Sequence, residues 1–182
     1  MKIFLVRHGE ADAEVEDLHL TERGFLQAKE VALRLRSFDF SKVYSSDLLR
    51  AKQTAEEYLK TVSGKELIID ERLREIYRLV IGGPVREGTP VGREKEDSKR
   101  ADEIFDEFLK EESDVVIFAH GNIIRYFINK VFESKKNLWN TLIIGEGSIS
   151  ILEFKEGKLQ VNCINDKGHS IENEKGEEVY LE

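Results

Sequence analysis

The sequence is poor in residues that crosslink, kink or span. Of its 182 residues one is cysteine and two are proline, and no run approaches the roughly 20 apolar residues a membrane span needs. A single cysteine cannot close an internal disulfide, so stability must come from buried apolar surface and the chain fits a reducing compartment. Its setting, the alternating "LQVNCI", reads Cys163 as a small apolar residue facing a core. Excess positive charge is also missing. A formal net charge of -8 and a pI near 5.2 disfavour nucleic acid as a partner, because affinity for it rests on Lys and Arg neutralising backbone phosphates. The N-terminus reaches Arg7 before a signal-peptide core develops, so no membrane partner and a cytoplasmic location are expected.

What the chain has is a globular balance, 40% hydrophobic and 35% charged, in a length that suits one domain over residues 1–182. Strand-length apolar runs recur at 2–7 ("KIFLVR"), 42–46 ("KVYSS"), 66–70 ("ELIID") and 114–120 ("DVVIFAH"). Helical periodicity follows them. Thr21 is a plausible N-cap before Phe25, Ala28, Ala32 and Leu35; Leu48, Ala51, Ala55, Tyr58 and Val62 share a face after Asp47. Further helices are expected near 99–112, with Ile104, Phe105, Phe108 and Leu109 in a stripe, and near 122–132, with Ile124, Phe127, Ile128 and Val131.

This order predicts an α/β three-layer sandwich around a mostly parallel sheet, joined by right-handed crossovers. Two alternating runs around Glu156-Gly157 predict one antiparallel hairpin near the C-terminus. Residues 78–100 hold both prolines and no sustained period, and are expected to form a long surface loop. The acidic tail "ENEKGEEVYLE" is expected to be loosely held.

Open α/β sheets bind ligands beyond the carboxyl ends of their strands. Arg7 and His8 fall there at the first strand, Arg50 in the first turn after the second, Glu75 just past the third and His120 at the end of the fourth. Neighbouring strands lie about 4.8 Å apart, so these groups can meet at one small ligand. Two arginines and two histidines at one point repel one another unless an anion lies between them, and phosphate is the obvious choice. A histidine ring nitrogen can attack phosphorus and carry the phosphoryl group covalently, while Arg7, Arg50 and His120 neutralise its oxygens. Glu75 is the carboxyl placed to protonate the leaving group and then activate water. Gly9 and Gly121 are expected to let the backbone approach the anion, and the helix starting near Asn122 to offer its N-terminus.

At "VRHGEA", "LTERGFLQA" (20–28), "YSSDLLRAKQTAE" (44–56), "LREI" (73–76) and "VVIFAHGNIIRYF" (115–127) the sequence resembles the histidine phosphatase superfamily, the phosphoglycerate-mutase-like group. Five segments in the proper order make the likeness specific, and it covers most of the chain. It implies that Arg7, His8, Arg50 and His120 form the phosphate pocket, that His8 is the phosphorylated nucleophile, that Glu75 is the proton donor, and that no metal or other cofactor is required. "NIIRYFINKVF", "LWNTLIIGEGSISILEF" and "INDKGHSIEN" look like the mitochondrial serine/threonine protein phosphatase branch. The expected activity is therefore hydrolysis of phosphomonoesters, on a small metabolite or a phosphoprotein. Two departures stand out: Ala11 and Glu14 occupy positions where many relatives carry Ser and Asn, which weakens phosphate positioning and disfavours mutase chemistry.

Rival readings are a phosphomutase, a non-catalytic phosphate or phosphopeptide binder, and a divalent-metal site built from His8, Glu10, Asp12 and His120. His19 is read as structural, and His169 as a surface residue or a substrate contact. Arg72, Arg74 and Arg78 are read as surface ion pairs, and Phe132 and Trp139 as core or rim.

Overall fold

The run "KIFLVR" folds as strand β1 (Lys2–Arg7), with Ile3, Phe4, Leu5 and Val6 all buried. Burial on both faces is what a central strand between two helical layers requires. The structure is a computed structural model and describes residues 1–12, 18–85, 87–133, 139–168, 170–172 and 178–180.

Alternate β1 side chains enter different cores. Phe4 and Val6 pack with Val31, Leu35, Ala55 and Tyr58, under helices α1 (Glu22–Leu35) and α2 (Leu49–Leu59). Ile3 and Leu5 pack with Ile104, Phe108, Ile124 and Phe127, under α3 (Arg93–Phe108) and α4 (Gly121–Phe132). The period of two along the strand thus separates the helices into layers, giving the expected three-layer sandwich.

The remaining strands of the main sheet are β2 (Lys42–Ser45), β3 (Leu67–Ile69), β4 (Val115–Ala119), β5 (Ile149–Lys155) and β6 (Lys158–Asp166), in the order β3-β2-β4-β1-β5-β6. Pairings β3–β2, β2–β4 and β4–β1 are parallel; β1–β5 and β5–β6 are antiparallel. The β5–β6 turn has φ of 52° at Glu156 and 74° at Gly157, the two left-handed residues of a tight hairpin.

Register places the functional strand ends. Arg7 pairs with Ala119 and Ser45 with Phe118, so His8, His120 and Ser46 emerge side by side at the carboxyl edge. The chain leaves β1 towards α1 on one face and leaves β4 towards α4 on the other, which opens a crevice between the two strands.

Two expectations are corrected. The segment 78–100 is not one loop: Arg78–Ile81 form a 3-10 turn closed by left-handed Gly82, and α3 begins at Arg93. Its first two turns carry charge on every side, so no apolar stripe marked them; the Arg93–Asp97 pair one turn apart and Gly92 at φ 88° set the start. In the tail, β7 (Ser170–Glu172) pairs antiparallel with β8 (Glu178–Tyr180). Cys163 is only half-buried, on the outer strand β6.

Candidate active site

His8 lies just past β1 with 7% of its surface exposed. Its Nδ1 is 2.7 Å from the Gly9 carbonyl oxygen, and its Nε2 is 3.0 Å from Arg50 Nε. A carbonyl only accepts and a guanidinium only donates, so the partners assign the hydrogen to Nδ1 and leave a lone pair on Nε2. Burial, with smaller contributions from Arg50 and Arg7, lowers the His8 pKa to about 3 against the pull of the Gly9 carbonyl. At neutral pH this ring is an uncharged base with its lone pair facing the strand ends.

His120 is fully buried, with its ring centroid 5.1 Å from that of His8. Its Nε2 is 2.9 Å from Ser46 Oγ. Ser46 Oγ already accepts from Leu48 N at 3.3 Å, so its own hydrogen is free to go to His120 Nε2. With that hydrogen given to Nε2, the His120 hydrogen sits on Nδ1, which is buried and has no partner among the described residues. Burial first, then His8, Arg50 and Arg7, hold its pKa well below the usual value, so it serves as a neutral donor.

Arg7 is fixed from outside. Its Nη1 donates to Ile144 O at 2.7 Å and its Nη2 to Glu146 Oε1 at 3.0 Å, while Nε is buried without a partner among the described residues. A Cβ built on Gly121 comes within 3.6 Å of that Nε, so glycine keeps the space beside it open. Two buried donors, Arg7 Nε and His120 Nδ1, thus lack an acceptor close to the His8 lone pair. Unpaired buried donors cost about 1–3 kcal/mol each, and an anion between them recovers that cost.

Glu75 stands at the start of α4. Its carboxylate accepts from Asn122 N at 2.9 Å, Ile123 N at 3.1 Å and Ile76 N at 3.1 Å. Burial nevertheless raises its pKa, against those three N–H groups and Arg7, so its protonated form is favoured more than in an ordinary glutamate. From behind, Arg100 Nη2 donates to Glu75 O at 3.0 Å and to Asp97 Oδ1 at 2.7 Å, and its Nη1 donates to Arg74 O at 2.7 Å. A cleft of about 440 Å³ opens beside Glu75, and Arg78, Asn122 and Trp139 line it.

The five ionisable residues expected at the strand ends therefore meet in one place. The three expected substrate-binding residues behave differently. A Cβ on Gly9 would fall 2.4 Å from Gly24 O, so Gly9 serves the close packing of the β1–α1 loop on α1. The N–H groups of Asn122 and Ile123 are committed to Glu75, and the Asn122 side chain to Ile76 O and Arg125, so the α4 N-terminus serves the acid rather than an anion. Gly121 alone borders the unpartnered donors.

The rival metal grouping does not assemble: Glu10 turns to Thr21 at 2.8 Å and to Arg23 at 3.2 Å. Among the described residues no group of three metal-capable side chains is found. Arg72 pairs with Asp70 and Glu107, and Arg74 with Asp47, as expected of surface ion pairs. Among the described residues Arg78 forms no ion pair; it lies over the Trp139 ring at 5.5 Å. His19 is exposed, Phe132 is exposed rather than core, and Ala11 bridges to Leu20. Glu14 and His169 lie outside the described residues.

Sequence reasoning missed Ser46, Thr54, Arg100 and Glu146. Thr54, one helical turn after Arg50, accepts from Gly9 N at 3.2 Å and donates to Arg50 O at 2.8 Å, and that spacing was visible in "RAKQT". Glu146 carried no signal, because its partner Arg7 is remote in sequence.

The chain also matches known proteins. The chain is 30% identical over 187 residues to the mitochondrial serine/threonine-protein phosphatase Pgam5 of Drosophila virilis, a match covering 91% of this chain and 63% of that protein. Among solved structures, phosphoserine phosphatase from Entamoeba histolytica in complex with 3-phosphoglyceric acid superposes with a TM-score of 0.73 at 25% identity, covering 91% and 97% of the two chains. A putative alpha-ribazole-5'-P phosphatase from Escherichia coli shares the fold at a TM-score of 0.77 and 17% identity, covering 92% and 97%. The profile of the histidine phosphatase superfamily (branch 1) matches residues 3–87 and 92–167, which include all five strand-end groups, and the chain belongs to that family.

Proposed function

We propose that this chain hydrolyses phosphomonoesters through a phosphohistidine at His8, within a single domain over residues 1–182 and without a metal or other cofactor. The observation that carries the reading is the deprotonated Nε2 of His8, beside two buried donors that lack an acceptor among the described residues. The His8 lone pair forms the bond to phosphorus as the ester oxygen departs, and that oxygen takes the proton of Glu75. Water then gives a proton back to the Glu75 carboxylate and attacks phosphorus, breaking the P–N bond and releasing inorganic phosphate. Arg7, Arg50 and His120 neutralise the charge on the transferring group, in which positioning and electrostatics do most of the work.

Relatives named for phosphoserine and for serine/threonine-protein phosphatase activity support a phosphorylated small molecule or phosphoprotein as substrate. The chain spans 63% of the length of those protein phosphatases. Among the described residues no helix is long and apolar enough to cross a membrane. The free Cys163 and the acidic composition support a cytoplasmic protein that uses neither nucleic acid nor membrane as a partner.

The test is rapid mixing with an aryl phosphate followed by acid-lability analysis of the protein. Wild type is expected to show a transient, acid-labile protein phosphate and free phosphate release, and His8→Ala neither. Turnover that survives His8→Ala, or binding without transient labelling, would reject the reading.

A further inference from the structure

Glu75 is delivered by no helix or strand. It lies between two 3-10 turns, Glu71–Leu73 and Arg78–Ile81, in a stretch without the hydrogen-bond ladder of a helix or sheet, so its backbone groups need side-chain partners. Two residues one turn apart on α3 supply them. Arg100 Nη1 donates to Arg72 O at 2.8 Å and to Arg74 O at 2.7 Å, and its Nη2 donates to Glu75 O at 3.0 Å. The other N–H groups, on Nη2 and Nε, go to Asp97 Oδ1 at 2.7 and 3.1 Å. The second oxygen of that carboxylate, Oδ2, accepts from Tyr77 N at 2.7 Å.

A guanidinium has five N–H donors, and all five of Arg100's are engaged. The pair therefore grips the main chain at 72, 74 and 75 and again at 77, on both sides of the Glu75 side chain. Neither Asp97 nor Arg100 lines the cleft beside Glu75. Asp97 is only 5% exposed, and a buried ion pair adds little stability over apolar side chains of the same volume. What a fork of five donors adds over apolar packing is direction.

We propose that Asp97 and Arg100 are positioning residues for proton transfer: they fix the main chain from which Glu75 projects, and so hold its carboxyl where it can protonate the departing oxygen. This rests on the phosphomonoesterase reading above, with Glu75 as its acid. The N–H groups of Asn122 and Ile123 orient the carboxyl end of the side chain, and the α3 pair sets its root. Leu73 and Ile76, both buried, keep the segment on the core without the pair, so losing it shifts Glu75 and does not release it. A misplacement of about 1 Å can cost about 100-fold in rate.

The experiment compares an alkyl phosphate, whose leaving oxygen needs the proton, with nitrophenyl phosphate, whose leaving oxygen does not. In Arg100→Gln, kcat for the alkyl phosphate should fall by about 10- to 100-fold with KM within about twofold of wild type. Nitrophenolate release in a single turnover with enzyme in excess, which reports phosphorylation of His8, should stay within about twofold. In a Glu75→Gln background the same substitution should cost less than about twofold on the alkyl phosphate, since no acid is left to misplace. Arg100→Lys keeps the charge but has three donors, and should lose only about 3- to 10-fold. Thermal melts follow folding; should Arg100→Gln not fold, Arg100→Lys and Asp97→Asn carry the same comparison. Equal losses on the two substrates, an undiminished alkyl rate in a folded variant, or a loss that adds in full to that of Glu75→Gln would overturn the proposal. Wild-type hydrolysis of nitrophenyl phosphate, abolished by His8→Ala, reports on the phosphatase reading separately. A Glu75→Gln enzyme that loses both substrates alike would remove the acid, and this proposal with it, while that reading stands.

Discussion

Arg50 Nε donates to His8 Nε2 across 3.0 Å, so the nitrogen with the nucleophilic lone pair faces a guanidinium instead of water. A phosphoryl group bonding to that nitrogen must displace the contact, and Arg50 then regains a partner among the phosphate oxygens. A neutral acceptor is exchanged for a charged one, which makes the bond shorter and stronger. The resting site therefore keeps a donor where negative charge arrives, with little reorganisation left for the reaction itself. The same contact helps keep His8 unprotonated, because a cation beside the ring opposes a second positive charge.

The His8 shift has a consequence for stability. With a folded-state pKa of about 3 against an ordinary 6.5, the unfolded chain binds a proton between those values that the folded ring refuses. Folded stability therefore falls as pH drops through that window, at up to about 1.4 kcal/mol per pH unit, and His8 contributes nothing to the slope above it. His8→Asn should flatten the dependence between about pH 6 and 4, read as urea midpoints across pH; the contribution of His120, of the same sign, remains. Parallel slopes in the two proteins would mean that His8 titrates as an ordinary surface histidine.

The strand ends were legible because apolar runs mark parallel strands, and such strands deliver their following residues to one edge; that alone places His8 beside His120 and brings Arg50 and Glu75 near. The first two turns of α3 were not legible, since Arg93, Glu94, Lys95 and Glu96 have no apolar period. Contacts such as Glu146 with Arg7 and Ser46 with His120 join segments far apart in sequence, and no local pattern encodes them. Asn122 misled for a related reason. A helix N-terminus at a strand end predicts a bound anion, and here its N–H groups are taken by the carboxyl of the chain's own Glu75.

Glu75 has a raised pKa because burial outweighs the three backbone N–H groups and Arg7, which suits it to hold a proton for the leaving oxygen. Turnover of an alkyl phosphate should therefore fall as pH rises through that pKa, and this alkaline limb should vanish in Glu75→Gln. The substitution should slow an alkyl phosphate by about 10²- to 10⁴-fold. A nitrophenolate departs without needing the proton, so nitrophenyl phosphate should give a burst equal to the enzyme concentration and then slow release. Equal losses on both substrates, with no burst, would remove Glu75 from the acid role.

The β1–α1 loop meets α1 backbone to backbone. A Cβ on Gly24 would fall 2.0 Å from Glu10 O, where no flexible side chain can yield. Gly24→Ala should cost at least about 1–3 kcal/mol by overpacking. Gly64 supplies the contrast, with open space around its Cβ position and φ of 71°, so Gly64→Ala should cost only about 1–2 kcal/mol of backbone strain. Denaturant midpoints compare the two; a Gly24→Ala protein no less stable than Gly64→Ala would show that the loop relaxes away from α1.

Ser46 is the hydrogen-bond partner of His120 Nε2, at 2.9 Å. With Leu48 N–H on one acceptor position of Ser46 Oγ, a hydroxyl hydrogen given to His120 Nε2 places the ring hydrogen on Nδ1, as the buried donor. Ser46→Ala removes that constraint, and part of the His120 population then presents a lone pair, not a donor, at Nδ1. The expected loss in kcat/KM is roughly 10- to 100-fold, below that for deleting a charge-stabilising donor outright. Ser46→Thr keeps a hydroxyl and should recover most of the activity. Nitrogen NMR of the ring reads the tautomer directly: wild type should show Nδ1 protonated and Nε2 accepting, and Ser46→Ala a mixture. A variant that keeps both the wild-type tautomer and the wild-type rate would mean that the surrounding burial, not the hydroxyl, orients the ring.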